Sequence, residues 1–354
     1  MSNQSFRTDF LDEAPGGLPL VIMPSESGTS VSCLVDQLRE AQPWIRAKLL
    51  EHGALLFRGF AVHSGQDGEQ VARAIEPALS RDYLGTSPRD AVTDYVFNAS
   101  ELPSYYPIPQ HIEMSFVPKP PRTLFFSCLV EPQGPGGETP LVDFRAVLRS
   151  LDPTLRARFE RLGVRNIRNY DGPQSPRKRD LWKLKRWDEM FRTTDRQEVE
   201  RIAREHSFTV QWKPHDRLAL INTQPATRPH EETGKPVWFN HVQIFHPAAA
   251  AGEYLRIARR QGPRLRYLGL AAFATAMVAL KRRLAKDEEQ AMFCSYGDGS
   301  PISDAEVGAV RAAIWQNLAF PRWRQGDVMA IDNRAIGHGR MPYLGPRRVV
   351  VAWA

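Results

Sequence analysis

Apolar runs of strand length lie at both ends of this chain, so its fold must bring distant segments together. "ALLFRGF" occupies residues 54–60, and "RRVVVAWA" ends on the last residue, 354. Between them stand "TLFFSCLV" (123–130) and "GDVMAIDN" (326–333). Unbroken apolar strands are buried on both faces, unlike the alternating strands of a half-solvated sheet. Shorter aromatic or β-branched stretches, "FTVQWKP", "LALINTQ" and "PVWFNHVQIF", follow residue 207. Strands so dispersed, with helices inserted among them, fit one β-sandwich or barrel better than alternating βαβ units. Neither a G-x-G-x-x-G nor a P-loop pattern supports a nucleotide-binding α/β fold.

Helical spacing appears in "SCLVDQLREAQPWIRAKLLEHG" (32–53), where Pro43 should kink or divide the helix. "FRAVLRSLDPTLRARFERLG", "DRQEVERIAREH" and residues 252–286 also read as helical. Within the last, "LGLAAFATAMVAL" (268–280) is too short to cross a bilayer and reads as a buried helix. "SDAEVGAVRAAIWQNLA" (303–319) opens with Ser303 and Glu306 at capping-box spacing. The expected organisation is a single domain over residues 1–354, with a mostly helical and loop insertion around residues 145–290. Its class is mixed α/β with a mainly β core.

"HIEMSF" (111–116) places a histidine and a glutamate two residues apart. On a strand such residues point the same way, so His111 and Glu113 can grip one ion from one side; they can equally form a hydrogen-bonded pair. A second histidine, His338 in "GDVMAIDNRAIGHGRMPYLGPRR", sits between a strand and a glycine-rich turn. Two imidazoles and one carboxylate make the facial triad of non-haem Fe(II) oxygenases, which leaves coordination positions open. Ligands so far apart in sequence need a fold whose ends meet, as a jelly roll's do.

These segments carry a resemblance. "HGALLFRGF", "HIEMSF", "FFSCLVEPQGPGGETPLVDFR", "GKPVWFNHVQIFHP" and "GDVMAIDNRAIGHGRMPYLGPRR" are similar, in order and spacing, to the taurine dioxygenase and clavaminate synthase-like superfamily. The resemblance implies a double-stranded β-helix (jelly roll) with inserted helices, and an Fe(II)-dependent dioxygenase using 2-oxoglutarate and O2 as cosubstrates. It implies His111, Glu113 and His338 as the metal ligands and catalytic centre. Thr139 would bind the cosubstrate carboxylate. An arginine would anchor the far carboxylate as a bidentate fork; Arg348 is preferred, and Arg347, its strand neighbour, should face away. Arg340 is expected to be structural. In related halogenases the carboxylate position is Gly or Ala, so Glu113 favours hydroxylation or another oxidation, with release of succinate and CO2.

Asn98, in "FNASE", is the candidate substrate contact, and Phe116 and Trp353 are pocket candidates more often found in cores. His52, His206, His215, His230, His241 and His246 read as core or supporting residues. Substrates implied by the resemblance are small amino-acid-like molecules or natural-product intermediates, free or tethered to a carrier protein. Homo-oligomerisation stays open.

Two other function classes compete. A zinc-dependent hydrolase or deaminase would use the H-x-E pair, but the downstream P-C-x-x-C is absent, as is H-E-x-x-H. A nucleic-acid-binding protein would use the basic and aromatic cluster at 177–187, whose plainer reading is a solvated surface or a docking site for an acidic carrier. The net charge of +7 combines 47 basic with 40 acidic residues, a weak bias that points neither to nucleic acid nor to a membrane. Three dispersed cysteines without a C-x-x-C pair, and no apparent secretory signal, suit a cytoplasmic location.

Overall fold

The apolar runs build the larger of the two sheets of a jelly roll in this computed structural model, which describes all residues except 1–5, 12–14, 26–29, 82–88, 177–184, 263 and 285. In chain order the first strands are β1 (Phe6–Phe10), β2 (Leu20–Pro24), β3 (Ala54–Phe57), β4 (Phe97–Asn98), β5 (Ile108–His111), β6 (Thr123–Val130) and β7 (Leu141–Asp143). A middle group follows: β8 (Val164–Tyr170), β9 (Thr209–Lys213), β10 (Arg217–Gln224), β11 (Thr227–Pro229), β12 (Pro236–Trp238) and β13 (Met292–Tyr296). The last four are β14 (Leu318–Ala319), β15 (Val328–Asp332), β16 (Ile336–Arg340) and β17 (Arg348–Trp353).

The large sheet has the order β1-β2-β3-β15-β6-β17-β4, and the small one β14-β7-β16-β5. First and last segments therefore interleave, as the dispersed apolar runs require. Both faces of the large sheet are covered. Along β6, Leu124, Phe126 and Cys128 join the core between the sheets, while Phe125 and Leu129 join an outer core under three helices, Val31–Glu40, Gln42–His52 and Gly65–Ile75. β17 divides likewise: Val349, Val351 and Trp353 point inward, and Val350 and Ala352 outward. Each large apolar side chain so buried contributes about 1.5–3 kcal/mol. Two-sided burial is why these strands show no polar alternation.

Local signals account for most helix ends. The 32–53 stretch divides at Ala41, with Pro43 in the first turn of the second helix and Gly53 in the left-handed conformation (φ 78°) after it. Ser303 and Glu306 form the expected capping box.

Two expectations need correcting and a third needs completing. The 145–290 stretch is mostly helix and loop among its described residues, and it also supplies β8, β10 and β9 of a four-stranded antiparallel sheet completed by β13. β8, "VRNIRNY", escapes a hydrophobicity reading because Asn166 and Arg168 are buried; the Arg168 guanidinium lies over the Phe116 and Phe208 rings, 4.2 and 4.7 Å from their centroids. "WFNHVQIF" bends after β12 into a short helix, Val242–Phe245. The 268–280 segment lies on the helix Arg264–Leu284, but it is not buried: Leu268, Phe273 and Leu280 are exposed, and among its described residues only Tyr267 and Ala271 are buried. A helix apolar on all sides carries no periodic sign of which face is covered. No helix among the described residues is long and apolar enough to cross a membrane.

Candidate functional site

β5 and β16 are neighbours in the small sheet, and their register sets His111 directly opposite His338. The two imidazole centroids are 4.6 Å apart. Glycine at 339 permits the approach, since a Cβ there would stand 2.5 Å from the Ile108 carbonyl oxygen.

Glu113 reaches the histidines differently from the strand geometry expected of H-x-E. β5 ends at His111, and residues 113–116 form a turn with Met114 at φ 53°. Fully buried Asn333 clamps this turn: its side-chain oxygen accepts from the Glu113 N–H at 2.8 Å, and its amide donates to the Glu113 and Pro121 carbonyls at 3.0 and 2.8 Å. Glu113 Oε2 consequently lies 3.9 Å from Nε2 of both His111 and His338. One ligand atom from each of the three residues lies within 4.8 Å of the others.

The donor chemistry suits a divalent transition metal. His111 Nδ1 donates to the Pro109 carbonyl at 2.9 Å, which directs the lone pair of Nε2 at the group. Burial lowers the pKa of His111 despite the nearby Glu113, and lowers that of His338 well below the ordinary histidine value. Both rings are thus held in the neutral form that binds metal. Two nitrogens and one oxygen on one side of a cavity match the ligand set of non-haem Fe(II) sites.

A cavity of about 100 Å³ opens beside these residues. Thr139 and Arg347 stand on its wall together: Arg347 donates from Nη2 to Thr139 Oγ1 at 3.3 Å and from Nε to the Gly137 carbonyl at 2.7 Å. Trp323 Nε1 also donates to Thr139 Oγ1, at 3.0 Å. Burial lowers the Arg347 pKa to about 10, leaving the guanidinium charged near neutrality.

Arg348 does not share the wall. It is exposed on β17 opposite Val130, and the register slips between Arg348 and Val349. The neighbours do face opposite ways, but the preference between them is reversed. Arg347 has the parity of inward-pointing Val349, Val351 and Trp353. Arg340 also lines the cavity, but its guanidinium donates to the Leu102, Pro103 and Tyr106 carbonyls at 2.7–3.0 Å, pinning that loop.

Asn98 is not on the cavity wall. It opposes Val350, which belongs to the outer core, whereas Phe97 opposes Val351 and stacks on Trp353 inside; Ala99 and Ser100 line the cavity instead. Phe116 lines it, as does His241, whose Nδ1 lies 2.6 Å from Ser115 Oγ. Burial holds His241 well below the ordinary histidine pKa. His230 pairs with Asp332 at 2.8 Å, and His246 Nε2 donates to the Ile302 carbonyl at 3.0 Å; neither is on the cavity wall. Cys294 is buried, and burial raises its thiol pKa, so it is no nucleophile.

Residues 177–184 of the basic cluster lie outside the described residues. Trp187 is buried with its indole donating to the Asp216 carbonyl, so it presents no face for base stacking. Arg89 is a cavity residue without a sequence signal, being one of 47 lysines and arginines. Asn333 and Trp323 likewise carry no local pattern.

Comparison with known proteins agrees with this architecture. A profile of the "Taurine catabolism dioxygenase TauD, TfdA family" matches residues 23–353. The dapdiamide synthesis protein DdaC of Enterobacter agglomerans is 31% identical over 338 residues, covering 95% of this chain and 91% of that protein. A clavaminate synthase-like protein of Arabidopsis thaliana is 29% identical over 347 residues, 94% of this chain and 92% of the other. Among solved structures, PvcB of Pseudomonas aeruginosa is similar with a TM-score of 0.53 at 15% identity, covering 100% of this chain and 92% of that one. A second PvcB structure, described as an Fe, alpha-ketoglutarate dependent oxygenase from an isonitrile synthetic pathway, gives 0.52 at 16% identity, with 100% and 93% coverage. At such identities these two structures speak for the double-stranded β-helix fold alone. The chain belongs to the TauD/TfdA family and is an Fe(II)- and 2-oxoglutarate-dependent dioxygenase.

Proposed function

We propose that His111, Glu113 and His338 hold the ferrous ion, that Arg347 with Thr139 binds the far carboxylate of 2-oxoglutarate, and that the chain hydroxylates a C–H bond of a small amino-acid-like or natural-product substrate. The observation that carries this reading is the meeting of three ligand atoms within 4.8 Å on the wall of a cavity that also holds the Arg347–Thr139 pair. A bound ferrous ion supplies the redox chemistry by which O2 and 2-oxoglutarate become succinate, CO2 and one oxygen atom inserted into the substrate.

The chain's own residues orient and shield. Arg347 presents a charged fork whose Nε is already committed to Gly137, so its remaining N–H groups meet the cosubstrate carboxylate without reorganisation. Phe116, Phe126, Ile244 and Met292 give part of the cavity wall an apolar surface, which helps to exclude water from the reacting centre. Glu113 fills the position that Gly or Ala occupies in related halogenases, which supports hydroxylation over halogenation.

The names of DdaC and PvcB, tied to dapdiamide synthesis and an isonitrile pathway, support a natural-product substrate. Tethering to an acidic carrier protein is read from the basic cluster at 177–187, and self-association from the exposed apolar face of the helix Arg264–Leu284. The free cysteines support a reducing, cytoplasmic setting, and the chain is proposed to work as one catalytic domain.

Anaerobic addition of Fe(II) and 2-oxoglutarate should give a visible charge-transfer band that His111→Ala abolishes together with succinate formation. Turnover persisting in that variant would refute the ligand assignment. Colourless protein with tightly held zinc would favour a hydrolase. A mass-spectrometric screen for molecules gaining one oxygen atom then identifies the substrate.

A further inference from the structure

We infer that His241 is the hydrogen-bond donor that orients the substrate: its Nε2–H donates to a carbonyl oxygen of the substrate, on the side of the cavity remote from Arg347 and Thr139. This deepens the proposed reading of the cavity and rests on it for the identity of the reaction.

Sheet order places the residue. Thr139 lies just before β7, and across the small sheet β7, β16 and β5 follow in turn, carrying first His338 and then His111. The short helix Val242–Phe245 is tied to the β5 side, where Gln243 Nε2 donates to the Gln110 carbonyl at 2.9 Å. The His241 ring accordingly stands beyond His111, with their centroids 5.6 Å apart, while His338 stands on the other side of His111 at 4.6 Å.

The ring is held in one orientation. Phe116 meets it edge-on at 5.0 Å, and Phe245 lies 5.3 Å away. Asn240 Nδ2 donates to the Ala226 carbonyl at 2.8 Å, and Asn240 Oδ1 accepts from the Val242 N–H at 3.0 Å, so the backbone on either side of His241 is fixed as well. Ser115 then selects the tautomer. It is fully buried, and the 2.6 Å contact with His241 Nδ1 is the one hydrogen bond its side chain makes among the described residues. A buried hydroxyl hydrogen needs an acceptor, so Ser115 donates to Nδ1 and the ring's own hydrogen sits on Nε2. Nε2 is on the other edge of this cavity-lining ring, meets no partner among the described residues, and stands outside the three-residue ligand group.

A neutral donor suits a neutral acceptor. Phe116 and Ile244 line the cavity beside the ring, and in an apolar setting a carboxylate gives up far more hydration than a carbonyl does. A single polar group fixed among apolar side chains sets the orientation of a ligand. The substrate class is therefore an amide or ester whose carbonyl reaches the His241 side of the cavity, and that contact sets which C–H bond is presented.

The test uses protein with isotope-labelled histidine, loaded with diamagnetic Zn(II) and 2-oxoglutarate. Heteronuclear NMR reads the ring nitrogens, and His241 is assigned by the loss of its signals in His241→Gln. The wild-type ring should be neutral and protonated at Nε2, and Ser115→Ala should turn it into a mixture of tautomers; protonation at Nδ1 in wild type would overturn the donor. N-methylacetamide should shift the Nε2 signals saturably. No such shift, or a larger one from acetate, would overturn the carbonyl site. Read from the neighbouring His111 signals, affinity for N-methylacetamide should fall about tenfold in His241→Phe and by less in His241→Gln, whose side-chain amide still donates. Equal affinity in all three proteins would refute the contact. Anaerobic titration of the Fe(II)-loaded protein with 2-oxoglutarate should differ by less than about twofold between wild type and His241→Gln; greater weakening would mean that His241 holds the cosubstrate instead. His111 and His338 signals that ignore Zn(II) would remove the metal reading, a failure separate from that of the His241 tautomer or the amide shift.

Discussion

Replacing Arg347 by alanine should weaken 2-oxoglutarate binding by about a hundredfold to ten-thousandfold. Arg347 lines the cavity beside Thr139, and its pKa of about 10 keeps it charged at neutral pH. A carboxylate bound by such a fork receives two charge-assisted hydrogen bonds at about 1.5–3 kcal/mol each, so their loss costs about 3–6 kcal/mol, each 1.4 kcal/mol being tenfold. Arg348 is exposed, and Arg348→Ala should change binding by no more than about 0.5 kcal/mol. Anaerobic titration of the Fe(II)-loaded protein, followed through its charge-transfer band, measures both, with thermal melts to verify folding. Equal weakening by the two variants, or a larger effect at Arg348, would refute the assignment of parity on β17.

Two further substitutions probe the scaffold. Asn333→Ala removes the partners of three backbone groups at Glu113 and Pro121 and should cost about 3 kcal/mol in chemical denaturation, with weakened metal binding; a loss under about 1 kcal/mol would mean that the turn holds without the clamp. Gly339→Ala places a Cβ 2.5 Å from the Ile108 carbonyl and should separate β16 from β5, abolishing tight Co(II) binding; an unaltered Co(II) titration would contradict the close approach.

What the sequence made legible followed from local chemistry. Ser303 and Glu306 announce a helix start because capping uses side chains four residues apart at most, and Pro43 divides a helix wherever it falls. The pairing of His111 with His338 was foreseeable because a metal demands convergent ligands and dispersed apolar strands demand a fold that closes. Arg347 was not distinguishable from Arg348, because β17 is apolar on both faces and "VVV" conceals which parity is inward. The turn that carries Glu113, held from the far strand by Asn333, is a tertiary contact with no trace in "HIEMSF". Arg89 and the exposed face of the helix Arg264–Leu284 were hidden for a related reason: burial belongs to the assembled structure, and neither a lone arginine nor an apolar helix declares its surroundings.

An iron-edge anomalous difference map from anaerobic crystals grown with Fe(II) and 2-oxoglutarate tests the account most directly. It should show one peak about 2.0–2.2 Å from His111 Nε2, Glu113 Oε2 and His338 Nε2 together. Iron bound elsewhere, or held without one of these three atoms, would contradict the account.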